Sequence, residues 1–245
     1  MKLLLVATGA ALFCLPAAAT AQGRITNAKT ETRPGAPGIA REVQAIASRG
    51  VAAWIGYRAP LVPGPRQMCC SDNFGDSGAS CGRCRLEGGS GVTMNQGESR
   101  VALEPPNEFL ILVRVDTSVT RVRTFTPDCD IDAGGMPLVW LDSVRAEDSL
   151  AWLASLVTAA PDSGEAHDRV AKPAIAAIAL HNAEAADRTL ETFVAPSRPE
   201  WLRGDTAFWL GTARGAAGAR LLARMMKEEA SDRVRDKAAF GLSVS

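Results

Sequence analysis

The side chains in this chain that could do covalent or metal chemistry gather mainly in one loop. Cys69-Cys70 and Cys81-Gly82-Arg83-Cys84 sit among Gly, Ser and Asp, with Cys129 further on. A stretch so poor in apolar residues cannot hold itself by packing, so covalent links are its natural stabiliser. Two other readings exist. Four thiolates in a CC…CxxC arrangement could ligate zinc, and Cys81-x-x-Cys84 has the spacing of thiol oxidoreductases. Against the second, no strand precedes the pair and no sizeable helix follows it. Disulfides drawn from Cys69, Cys70, Cys81, Cys84 and Cys129 are the expectation. One of these thiols is left over or matched by a partner, and the pairing stays open, although a Cys69–Cys70 bond would be strained.

Three further constellations fail on their own terms. Gly75-Asp76-Ser77-Gly78 has the look of a serine-protease nucleophile segment, but that chemistry needs a base histidine upstream of the serine. The two histidines, His167 and His181, both lie downstream. Asp128, Asp130 and Asp132 alternate ahead of Gly134-Gly135 like a calcium loop, yet Ala133 and Val139 stand where glycine and glutamate are required. His167 and His181 lie far from any Cys or carboxylate cluster and are expected to face loops. No catalytic residue, metal ligand or cofactor is assigned.

These side chains need elements to position them. Met1 to Ala21 reads as a secretory signal: Lys2, an apolar run from Leu3 to Leu15, and a small-residue site at Ala19-Thr20-Ala21. Phe13 before Cys14 is too bulky for a lipoprotein site, and the apolar run is too short to span a bilayer. The expected location is therefore periplasmic or extracellular, in an oxidising compartment. Lys+Arg and Asp+Glu number 27 each, so no global field favours nucleic acid or an acidic membrane.

Residues 22–38, polar with Pro34 and Pro37, read as a flexible linker. A disulfide-tied small β domain is expected over 39–142. Ile39, Val43 and Ile46 are spaced for a short helix, and Val51 to Arg58 for a strand. Phe109 to Val115, Asp116-Thr117-Ser118 and Val119 to Phe125 form a strong hairpin signal, with Arg121 and Arg123 toward solvent. A further strand is expected at Val101 to Leu103. Leu138 to Leu141 then leads into a helix from Glu147 to Val157.

From Asp168 the chain repeats itself every 32 residues. Asp168-Arg169-Val170, Ala174 and Ile178 recur as Glu200-Trp201-Leu202, Thr206 and Leu210, and again as Asp232-Arg233-Val234, Ala238 and Leu242. Ala185, Leu190, Phe193 and Val194 likewise recur as Ala217, Leu222, Met225 and Met226. Such a period marks stacked helical hairpins that bury an apolar face only against one another. Asp232 to Leu242 resembles the first helix of a short HEAT repeat, the variety also seen in phycobilisome-lyase-type HEAT-like repeats. Ala185 and Leu190, with Ala217 and Leu222, fall where that family places the small and large residues of its second helix.

The resemblance covers roughly the last third of the chain and implies a non-catalytic, protein-binding α-solenoid over 143–245. The fold class expected is thus α+β, a small antiparallel β domain followed by an α-solenoid of HEAT-like helical hairpins. Because the third unit ends after its first helix, a longer array is expected, with Ala238, Ala239 and Leu242 exposed. In HEAT arrays the second helices line the concave side, so Arg188, Arg220, Arg224 and Lys227 would form a basic ladder for an acidic partner segment. The function expected is an exported scaffold for protein–protein interaction. The alternatives are an accessory subunit of an envelope enzyme, or redox or metal chemistry in the cysteine region.

Overall fold

A computed structural model describes residues 24–64, 68, 84–87 and 105–245. Its centre is a five-stranded mixed sheet. β1 (Arg24–Thr26) and β2 (Lys29–Pro34) lead to the helix α1 (Ile39–Arg49). Then come β3 (Ala53–Pro60), β4 (Cys84–Arg85), β5 (Glu108–Val115), β6 (Val119–Phe125), β7 (Asp130–Asp132) and β8 (Pro137–Asp142). The large sheet has the order β2-β8-β3-β5-β6, and a smaller one the order β1-β7-β4.

The expected hairpin is present: β5 and β6 pair antiparallel, with Val113 opposite Val122. β3 joins β5 antiparallel, with Ile55 opposite Val113. α1 also forms as its apolar spacing predicts, burying Ile39 and Ile46, and closes on Gly50 in the left-handed conformation (φ 65°).

The expected fold class is overturned. The architecture is mixed α/β, and the sheets are not those of a small antiparallel domain set ahead of a solenoid. β8 pairs parallel to both β2 and β3, and every pairing in the smaller sheet is parallel. A helix stands between strands, with α1 dividing β2 from β3. The stretch read as a linker supplies β1 and β2. Leu138 to Leu141, read as a lead-in, lies inside the sheet as β8. Parallel partners lie far apart in the chain (Thr30 opposite Leu138), and local alternation cannot encode such pairing. Val101 to Leu103 lies outside the described residues.

After β8 the chain is helical: α2 (Ala146–Ala159), a π-helical turn at His167–Ala171 running into α3 (Lys172–Leu180), α4 (Glu184–Phe193), α5 (Glu200–Ala213), α6 (Gly215–Glu228) and α7 (Asp232–Ser243). α3 packs on α5, α5 on α7, and α4 against α6. Ile178 and Leu210 are buried and Leu242 is partly buried, at corresponding places in α3, α5 and α7. The helices do not form a core of their own. Ile55, Tyr57, Phe109 and Ile111 from the sheet share one apolar cluster with Leu153, Ile178, Leu210 and Val234. The sheet is the first layer on which the helices are laid, which is the physical reason the two-part expectation fails.

The strands alternate cleanly between two faces. Phe109, Ile111 and Val113 of β5 point into the helical core. Leu110 and Leu112 point into a second cluster with Trp54, Trp140, Ile131 and Cys129, covered by the smaller sheet. Gly56 lies on that second face because nothing larger fits: a Cβ would come within 2.8 Å of Leu112 and of the Trp140 ring. Arg123, expected in solvent, is buried here. Its guanidinium donates to the Arg85 carbonyl at 2.6 Å and lies 4.8 Å from the centre of the Phe125 ring. The smaller sheet covers a face that the local alternation of β6 marked as exposed. α7 differs from expectation as well: Ala238 is buried and Leu242 half-buried, while Ala239 is exposed.

Candidate functional site

The described residues bring reactive groups together in three places, and access separates them. The first is the cysteine region. Cys84 in β4 and Cys129 just ahead of β7 are both buried and both disulfide-bonded. Cys69, Cys70 and Cys81 lie outside the described residues, as does the segment Gly75 to Gly78. Around the described pair the polar groups are already answered. Trp54 Nε1 donates to Glu87 at 2.7 Å, and Arg114 pairs with the other oxygen of Glu87. Asp132 accepts from Asn27 at 3.0 Å and from the Gly134 amide at 2.9 Å, while Asp130 meets Arg24 at 3.3 Å.

A cavity of about 620 Å³ opens there, lined by Asn27, Lys29, Arg85, Glu87 and Asp132 among others. Its carboxylates serve the local structure. Among the described residues no group of His, Cys, Asp and Glu is placed to hold a metal ion.

The second place was not foreseen. Tyr57 of β3, Ser149 of α2 and His181 at the end of α3 form a buried chain. Tyr57 Oη and Ser149 Oγ are 3.0 Å apart, Ser149 Oγ and His181 Nε2 3.0 Å, and His181 Nδ1 and the Ala177 carbonyl 2.7 Å. A carbonyl only accepts, so Nδ1 carries the proton and Nε2 receives the Ser149 hydroxyl, whose oxygen then accepts from Tyr57.

Burial pushes His181 down to about 4, with a smaller contribution in the same direction from the Arg214 charge. It pushes the Tyr57 phenol well above its usual range. A serine bonded to a neutral imidazole is the geometry of an activated nucleophile, but all three side chains are sealed from solvent. The chain ties sheet to helices and presents nothing to a substrate. Arg214 completes the knot by donating to the His181 carbonyl at 2.7 Å and to Asp187 at 2.8 Å. His181, expected in a loop, is thus a core residue. His167 is buried too, edge-on to Trp201 with ring centres 4.4 Å apart. Asp168 sits within the π-helical turn and pairs with Lys172 at 2.9 Å.

The third place is the outward face of the helices. Arg188 in α4 pairs with Glu184 one turn away at 2.6 Å, both side chains being exposed. Arg220, Arg224 and Lys227 are all exposed on α6 at i, i+4 and i+7, with exposed Ala216 and Ala223 beside them. Arg224 reaches Glu191 of α4 at 2.6 Å. Arg220 and Lys227 make no ion pair among the described residues. Of the four residues expected to form a basic ladder, Arg188 lies on α4 and the other three on α6, and Arg188 and Arg224 each hold an exposed ion pair.

Among the described residues no helix is long and apolar enough to cross a membrane. Compared with family models, with curated proteins and with solved structures, the chain matches none.

Proposed function

We propose that this chain is an exported, non-catalytic protein-binding module whose helical layer, HEAT-like in its recurrence, grips an acidic segment of a partner along α6. One observation carries the reading: the stripe Arg220–Arg224–Lys227. Elsewhere the helical layer answers many of its cations internally, as with Arg188–Glu184, Arg203–Glu229 and Arg214–Asp187. On α6 the ends of the stripe are left unanswered, and the small side chains Ala216 and Ala223 let a second chain approach closely. Exposed charge of one sign steers and selects a complementary segment more than it adds raw affinity. The disulfide-bonded state of Cys84 and Cys129 fits an oxidising compartment.

The test is fluorescence anisotropy of a labelled glutamate-rich peptide against the full chain. Arg220→Glu with Lys227→Glu should weaken binding at least ~30-fold, about 2 kcal/mol. Arg188→Glu should leave it within about 3-fold, since that side chain lies on α4. Equal losses from both variants, or no binding at low salt, would remove the reading.

A further inference from the structure

The outer stripe of α7 carries a pattern that complements itself. Phe240 leaves 51% of its surface uncovered. Phe240 is nevertheless held in place, stacked on Phe208 of α5 with ring centres 6.0 Å apart and planes 7° from parallel. Its outer ring face is thus presented ready-made, with little rotamer freedom left to lose on contact. Arg233, Asp236 and Lys237 lie on the same side of the helix, at i, i+3 and i+4, with Phe240 at i+7. All three residues are exposed and none forms an ion pair among the described residues, although the Lys237 stem lies over Gly204 of α5 and its charge is felt by Asp205. Neighbouring Arg235 differs, being tied to Asp232 and to the Glu229 carbonyl.

Laid antiparallel against a second α7 and centred between 236 and 237, this stripe matches its own copy. Asp236 falls opposite Lys237 of the second copy, and Lys237 opposite its Asp236. Arg233 falls opposite Phe240 of the second copy, where a guanidinium over a ring is attractive. Because the axis repeats each contact, four favourable contacts come from one short stripe, as an isologous interface requires.

We propose that the chain forms a two-fold homodimer through α7, with Asp236–Lys237 pairs crossing the axis and each Phe240 covered by Arg233 of the other copy. The proposal is independent of the α6 reading, because these residues lie on another helix.

The experiment is sedimentation equilibrium of the full chain over a wide concentration range, with circular dichroism as the folding control. A monomer–dimer equilibrium is expected for the natural chain. Asp236→Lys, which sets lysine against lysine, should raise the dissociation constant at least ~10-fold, and Phe240→Ser by a similar factor. Asp236→Lys combined with Lys237→Asp exchanges the two charges and should restore dimerisation to within about 3-fold. A monomer at all concentrations, an assembly that neither single variant weakens, or a double variant no better than Asp236→Lys would each overturn the proposal.

Discussion

The two faces of the five-stranded sheet are held by different physics. On one, Phe109, Ile111 and Val113 enter a broad apolar core shared with α2, α3 and the later helices, crossed by the polar chain Tyr57–Ser149–His181. On the other, Trp54, Leu110, Leu112 and Trp140 meet a three-stranded sheet of very short strands. That smaller cover carries the disulfide-bonded Cys84 and Cys129 and is held by charged groups: Glu87 under Trp54 and Arg114, and Arg123 on the Arg85 carbonyl. Where buried area is plentiful, packing is sufficient. Where the covering element is too small to supply it, cross-links and charge-assisted hydrogen bonds stand in.

This contrast can be broken at several points. The largest effect belongs to the helical face: Phe109→Ala should cost roughly 4 kcal/mol in urea unfolding, with or without reductant. A cost that disappeared under reductant would mean that the faces are not separately held. Next, reduction of the natural chain should lower stability by about 3 kcal/mol, and Cys129→Ala should remove much of that sensitivity in thermal melts with and without a phosphine reductant. An unchanged melting temperature on reduction would leave the smaller sheet's fastening unexplained.

Similar in size is a pH effect confined to the helical face. His181 is held at about 4, below its ordinary 6.5, so between these values the unfolded chain binds more protons than the folded one. Stability is therefore full above pH 6.5 and falls as pH drops through this window, by about 3 kcal/mol in all. Asp205 works the other way: burial raises its pKa, so its charge costs the fold and protonation relieves that cost. His181→Gln should flatten the decline between pH 6.5 and 4, whatever it does to stability at neutral pH. An unaltered slope would show that the imidazole does not charge on unfolding.

Smaller still, Glu87→Gln should cost about 1–2 kcal/mol by weakening the anchor of Trp54 and Arg114 on the second face. Arg188→Ala, on the exposed side of α4, should change stability by less than about 0.5 kcal/mol.

These differences also explain what could be read from the sequence. The β5–β6 hairpin was legible because two β-branched runs flank the polar Asp116-Thr117-Ser118. The helices from 168 onward were legible because apolar residues recur at a fixed period, and Ala217, Leu222, Met225 and Met226 all lie within α6. β2 was not, since Lys29–Pro34 is an exposed edge strand whose polar sequence looks like a linker. Nor was the place of β8, whose parallel partners come from far earlier in the chain. Arg123 misled because solvent exposure was inferred from one strand, while the covering sheet comes from 24–26, 84–85 and 130–132. The Tyr57–Ser149–His181 chain left no local spacing to find: its members meet only when the sheet and the ends of two helices are assembled. On α6 the residue types and spacing were visible in advance. That Arg188 pairs with Glu184 was not.

The claim that the α6 stripe is the working surface meets its most direct test in amide hydrogen exchange on the full chain, with and without a glutamate-rich peptide. The account predicts added protection centred on residues 215–228, fading as salt is raised. Protection centred instead on residues 84–87 and 129–135, or none at any salt concentration, would contradict it.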